Sequence, residues 1–149
     1  MIKNELDTTD RQIISLLQRD SSVPHKEIGH RVHKSPTAIH ARIKKLLDQG
    51  YIKTFIALVD YAKLGRGLTG FVSVTMEKHT EEILVAFMSE VSKFEEVVEC
   101  YHITGAYDFL LRVAIRDMNE YNDVLLKKLA NLPGIENITS QFVLSNVKK

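Results

Sequence analysis

Apolar residues along the chain keep two different rhythms, and the change comes near residue 51. Before it they recur at helical intervals: Ile13, Ile14 and Leu17, then Ile28 and Val32, then Ile39, Ile43, Leu46 and Leu47. Three amphipathic helices are predicted. The first opens at Leu6-Asp7-Thr8-Thr9-Asp10, where Asp7 can cap and Asp10 is favoured by the helix dipole, and it ends near Arg19-Asp20. The second is short, with Pro24 suited to its first position. His33-Lys34 leaves only a tight turn before the third. There Ser35 is the expected N-cap, Pro36 sits where its missing N–H costs nothing, and Gly50 closes the C-terminus. Two short helices joined by a tight turn, behind a supporting helix, form a helix-turn-helix unit.

From Tyr51 the pattern turns to β-branched and aromatic residues, and 51–59 reads as a strand. Residues 60–70, with glycines at 65, 67 and 70, are expected to be a hinge. Beyond it come a strand over 71–76 and a helix capped by Thr80, with Ile83, Leu84, Phe87, Met88 and Val91 inside. Strands over 97–104 and 109–115 are joined by Gly105-Ala106-Tyr107-Asp108. A helix over 118–132 is closed by Pro133-Gly134, and a strand region covers 135–147. The order β-α-β-β-α-β is the ferredoxin-like arrangement. The fold class is therefore α+β: a helix-turn-helix domain with a following strand over 1–59, a hinge over 60–70, and a ferredoxin-like domain over 71–149.

Composition changes little in this picture, but charge changes it locally. An apolar fraction of 44% and a charged fraction of 26% in 149 residues describe a globular chain. No apolar run approaches the roughly 20 residues of a membrane span. The N-terminus lacks a signal-peptide core, so a cytoplasmic location is expected. Cys100 is expected to be a small core residue. The net charge of +1 hides an asymmetry: residues 1–50 hold nine Lys/Arg against six Asp/Glu, and the remainder eleven against thirteen. Between Ile28 and Leu47 there is no acidic residue, while Arg31, Lys34, Arg42, Lys44, Lys45 and three histidines fall in that window. A basic end on a near-neutral chain points to a polyanion partner.

The third helix carries that charge on its outer side. Opposite the apolar stripe lie Thr37, Ala38, Ala41, Lys44 and Lys45, with His40 and Arg42 on the flanks. Small and hydrogen-bonding residues come first, cations later. Such a face fits a major groove: small residues permit approach, Thr and His reach base edges, and cations meet phosphates. The candidate DNA-contacting set is Ser35, Pro36, Thr37, Ala38, His40, Ala41, Arg42, Lys44 and Lys45, and the partner is double-stranded DNA.

With both halves read, the chain resembles the leucine-responsive regulatory protein / AsnC (Lrp/AsnC) family of transcription regulators over nearly its whole length. The resemblance rests on Leu6-Asp7, Asp10, Ile14-Ser15-Leu16-Leu17, Ser35-Pro36-Thr37, Arg42-Ile43, Leu46 and Gly50-Tyr51-Ile52. In the second half it rests on 104–113 (TGAYDFLLRV) and Leu132-Pro133-Gly134-Ile135. Departures from the family's pattern are Pro24 in place of a side-chain cap, Gly29 inside the second helix, and His33-Lys34 in the turn. A mid-helix glycine costs roughly 1 kcal/mol unless close packing requires it. If the turn needs a left-handed residue, His33 must supply it.

The resemblance implies a winged helix-turn-helix followed by a RAM/ACT-like domain that binds an amino acid between subunits, in a homo-oligomer that is a dimer or as large as an octamer. It implies effector contacts from Tyr101, Thr104, Gly105, Tyr107 and Asp108, with Thr139, Ser140 and Gln141 adding polar groups. In that role Gly105 permits close backbone approach and Asp108 accepts from an ammonium group. No cofactor is expected, and no metal, because the six histidines lack Cys or carboxylate partners at ligand spacing. An enzyme is not expected either: the first strand of the second half has no phosphate-cradling loop with an arginine, and Cys100 and His102, at i and i+2, merely share a strand face. The competing function is a weakly specific, DNA-organising architectural protein without an effector.

Overall fold

The computed structural model describes residues 6–147, so the outermost ends of the two expected domains lie outside the described residues. The chain divides into two compact units, residues 1–58 and 59–149.

The first unit is three helices around a small core. α1 (Thr8–Arg19) is capped by Asp7, whose carboxylate accepts from the Asp10 N–H. α2 (His25–Val32) begins one residue later than expected, with Pro24 in the capping position and no side-chain cap bond. α3 (Pro36–Asp48) is capped by Ser35, whose Oγ accepts from the Ala38 N–H at 3.2 Å. Gly50 follows with φ +75°, the left-handed conformation that ends the helix at little cost. Ile13, Ile28, Val32, Ile39, Ile43 and Leu46 close the core, which is the stripe that the periodicity predicts.

The expected strand over 51–59 does not form. Residues 53–60 are irregular, with Ile56 and Leu58 among the most exposed apolar residues described. The composition favours a strand, but a strand requires a neighbour for its backbone groups, and no described residue pairs with this stretch. The expected hinge is also shorter than 60–70: residues 61–65 form a turn, and the sheet already begins at Leu68.

The second unit is a four-stranded antiparallel sheet in the order β2-β3-β1-β4, formed by β1 (Leu68–Met76), β2 (Val97–His102), β3 (Phe109–Ile115) and β4 (Ile135–Phe142). All neighbouring pairs are antiparallel, as the ferredoxin-like order requires. α4 (Glu81–Val91) joins β1 to β2. Between β3 and β4 run α5 (Met118–Glu120), a π-helical stretch Tyr121–Leu126 and α6 (Lys127–Ala130), in place of one uniform helix. The helices cover one face of the sheet, where Val72, Val74, Met76, Phe87, Val91, Phe109, Leu111, Leu125 and Leu129 are buried.

Three local expectations fail. Thr80 occupies the capping position of α4 without a side-chain bond, and Met88 is exposed. Cys100 is exposed because β2 is an edge strand.

An ion pair between a buried Glu96 and a partly exposed Lys128 ties the second unit together. Glu96, which precedes β2, accepts two bonds from Lys128 Nζ, at 2.7 and 2.9 Å. Burial works against ionisation of Glu96, but Lys128 and its other donors outweigh it, and its pKa is lowered.

Candidate nucleic-acid interface and effector surface

The helix-turn-helix is shaped by two unusual residues. His33 adopts φ +54°, ψ +48°, supplying the left-handed conformation between α2 and α3 that glycine commonly supplies. The Lys34 N–H then donates to the Gly29 carbonyl at 2.9 Å, and the chain folds back over α2. A Cβ on Gly29 would lie 2.5 Å from the Lys34 carbonyl oxygen. Glycine in mid-helix is therefore required by the turn that passes above it.

α3 presents the expected outer face. Ser35, Pro36, Thr37, His40, Ala41, Lys44 and Lys45 are exposed, and Ala38 is half-buried. No carboxylate lies on this helix before Asp48.

Arg42 is different. Its Nη1 donates to Asp7 Oδ2 at 2.6 Å and to Asp10 Oδ1 at 2.7 Å. One guanidinium thus bridges the first turn of α1 to the middle of α3. Asp10, placed in the first turn where the helix dipole favours it, is buried. The pairing shows in the charges: the Asp10 N–H first and Arg42 second lower the Asp7 pKa, while Asp7 and then Asp10 raise that of Arg42. Arg42 therefore fastens α3 to α1 and is a poor candidate for the phosphate contact expected of it.

Another residue absent from the expected set stands beside this face. The His25 ring, at the start of α2, is 5.5 Å from the His40 ring.

In the second unit, the strand register sorts the expected effector residues. Tyr101 pairs with Leu110, Leu110 with Ser73, and Ser73 with Thr139; Glu99, Arg112, Phe71 and Gln141 form the next such row. Cross-strand partners share a face, and these rows lie opposite the helix-covered one. Tyr101 and Thr139 are three strand spacings apart, roughly 14 Å. Ser140 faces the helices, where its hydroxyl bonds the Tyr121 hydroxyl. A single chain therefore does not bring the eight residues into one pocket.

The hairpin linking β2 and β3 is well braced. The Ile103 N–H donates to the Asp108 carbonyl, and the Asp108 N–H to the Val74 carbonyl. The Asp108 carboxylate accepts from the Met76 N–H at 2.7 Å and meets His79 Nε2 at 2.8 Å. The Met76 N–H chiefly, with His79, holds the Asp108 pKa below its ordinary value. Gly105, at φ +121°, makes the turn. Thr104 and Gly105 are exposed and Tyr107 is half-buried.

Both oxygens of Asp108 are thus already used in fixing the hairpin. The contact with His79 spans 29 positions, and no periodicity reveals it. On the open face, Glu99 accepts from Arg112 at 2.6 Å and from the Tyr101 hydroxyl at 2.7 Å. Among the described residues no group of three or more His, Cys, Asp or Glu could hold a metal ion.

Comparison with known proteins agrees with this division. Residues 69–149 match the Lrp/AsnC ligand binding domain, and residues 6–53 match a winged helix-turn-helix DNA-binding domain. The transcriptional regulator AzlB of Bacillus subtilis is 33% identical over 144 residues, covering 97% of this chain and 92% of its own. The leucine-responsive regulatory protein of Klebsiella pneumoniae is 34% identical, with 97% and 88% covered. Among solved structures, the transcriptional regulator NMB0573 of Neisseria meningitidis in complex with L-Met superposes with a TM-score of 0.90 at 31% identity, covering 97% of this chain and 94% of that one. An AsnC family regulator from Agrobacterium tumefaciens gives 0.87 at 34% identity, with the same coverage. A helix-turn-helix unit followed by a ligand-binding domain, with full-length relatives that regulate transcription, places this chain in the Lrp/AsnC family of transcription regulators.

Proposed function

We propose that this regulator reads operator DNA with the outer face of α3, works as a homo-oligomer joined through its second unit, and changes its DNA binding or assembly when an amino acid occupies the surface around the 103–108 hairpin. The observation that carries the DNA reading is the acid-free exposed face formed by Thr37, His40, Ala41, Lys44 and Lys45. Thr37 is the base-reading candidate in the first turn, Lys44 and Lys45 are the phosphate contacts, and His40 stands between the two sets.

Two features support the oligomer. One side of the sheet is left open by the described helices of its own unit and carries Phe71, Leu110 and Tyr101, and the stretch 53–60 exposes Ile56 and Leu58 with no described strand beside it. A single helix-turn-helix reads one half-site, and dimers place two about 34–36 Å apart. The effector reading is supported by the L-Met complex of the similar Neisseria regulator. It is supported also by the wide separation of Tyr101 from Thr139 and Gln141, which a second protomer's hairpin can bridge. In this reading Asp108 holds the hairpin in shape, and Thr104, Gly105 and Tyr107 offer the free contacts.

Footprinting on genomic fragments, with and without each of the twenty amino acids, tests the reading. Discrete protected sites that strengthen, weaken or spread with one amino acid are expected. Uniform coverage indifferent to all of them would favour a DNA-organising protein. Light scattering that returned a 17.0 kDa monomer at working concentration would refute the oligomer.

A further inference from the structure

Among the described residues, His25 and His40 come from different helices, stand 5.5 Å apart between ring centroids with a 52° tilt, and have no hydrogen-bond partner in the protein. His40 is exposed and His25 half-buried. Their position is beside the base-reading turns of α3, one turn before Lys44.

The described carboxylates of this unit are already engaged or distant. Asp7 and Asp10 of α1 hold Arg42, and Glu27 of α2 holds Arg31. Asp20 accepts from the Ser22 N–H and hydroxyl. Asp48 lies at the far end of α3, eight residues from His40 and so about 12 Å along the axis. The remaining charged or titratable residues of these elements carry no negative charge: Lys26, His30, His33 and Lys34 on α2 and its turn, and Lys44 and Lys45 on α3. Among the described residues, no carboxylate is paired with either ring. A phosphate placed against the pair would favour the charged rings, because it supplies the missing negative charge and accepts from protonated ring nitrogens.

We infer that His25 is a further DNA contact, that it grips a backbone phosphate together with His40, and that DNA binding draws protons onto this pair. The inference rests on α3 being the helix that meets DNA. A proton taken up on binding strengthens the association as pH falls, by up to tenfold per pH unit per proton, across the range in which imidazole titrates. The gain is present below the pH at which the bound rings lose their protons and disappears as pH rises through it.

The test is fluorescence anisotropy of the full chain with a labelled mixed-sequence duplex at constant ionic strength. It compares wild type with His25→Gln, His40→Gln and the double variant, each checked for an unchanged thermal midpoint. Wild type is expected to bind at least about tenfold more tightly near pH 6 than near pH 8. Each single variant should lose part of that ratio, and the double variant should bring it to below about threefold. Calorimetry of the wild type in buffers of different ionisation enthalpy should register net proton uptake, and the double variant should not. A double variant that keeps the wild-type ratio, or a wild type that binds equally at both pH values, overturns the inference and leaves the DNA reading standing. A folded wild type that binds no duplex at either pH overturns both.

Discussion

Gly29→Ala gives the sharpest test of the helix-turn-helix geometry, because the two relevant effects have opposite signs. In an ordinary helix interior, alanine is favoured over glycine by about 1 kcal/mol. Here the added methyl carbon would stand 2.5 Å from the Lys34 carbonyl oxygen, half an ångström inside the closest approach that real Cβ atoms show. The obstacle is backbone, so no side-chain rotation relieves it. Moving it would stretch the 2.9 Å bond from the Lys34 N–H to the Gly29 carbonyl, and this bond closes the left-handed turn at His33. Overpacking of this kind costs about 1–3 kcal/mol, and it wins over the propensity gain. Because the obstacle is backbone, the cost falls at the upper end of that range, and a net loss of about 2 kcal/mol is expected, which in a unit of this size lowers the midpoint by roughly 8–16 °C. Thermal unfolding of the full chain, with hydrogen exchange of peptides covering α2 and α3 to assign the transition, measures it. A Gly29→Ala protein as stable as wild type, or more so, would show that the turn does not pass over α2 as described.

Lys44→Ala should reduce the slope of log affinity against log salt by about 0.9 per lost phosphate contact, so by roughly 2 in a dimer, with sequence preference kept; an unchanged slope would mean that Lys44 faces only solvent. Thr37→Ala should do the reverse, costing about 1–3 kcal/mol at particular base pairs with the slope intact. Arg42→Ala should lower the thermal midpoint of the first unit, because Asp10 would be left buried and unpaired, and it should leave the salt slope alone; a slope that falls as for Lys44→Ala would return Arg42 to the phosphates. Asp108 has a lowered pKa, so the stability it contributes is present above the ordinary carboxylate value of about 3.9 and is lost as pH falls through the lowered one. The Met76 amide resonance should therefore shift only below about pH 3.9, and a midpoint at or above that value would refute the hydrogen bond.

Most of the architecture is written in local chemistry. Helical spacing finds the buried side of all three N-terminal helices, and the caps at Asp7 and Ser35 are found because a side-chain oxygen and its target N–H are three residues apart. Strand alternation finds β1 and β3 because both are central, with one face on the core. It does less well where the burial is one-sided or supplied from elsewhere. Cys100 looks like a core residue by type, but lies on the edge strand. The stretch 51–59 has the composition of a strand, but among the described residues no strand lies beside 53–59 to pair with it. Residue type reports how well a segment suits a strand, and pairing depends on what lies beside it.

The candidate site is legible in its outline and illegible in its pairings. Periodicity puts Arg42 on the flank of α3, and a flank arginine in an acid-free window invites a phosphate. What decides otherwise is a pair of carboxylates more than thirty positions away, brought together at the first turn of α1. The only sequence signal is that Asp7 and Asp10 stand one turn apart on a helix that must pack against α3, which leaves them either solvated or answered by a cation. Once Arg42 is committed to them, the fixed positive charge facing outward on α3 reduces to Lys44 and Lys45, both beyond the middle of the helix. The first turns of α3, the proposed base-reading turns, then carry no fixed charge, only the His40 imidazole with that of His25 beside it. If α3 meets DNA as proposed, its far half grips phosphate with the fixed cations Lys44 and Lys45 and its near half with the His25–His40 pair. Salt would then weaken the grip at both ends, and alkali at the histidine end alone.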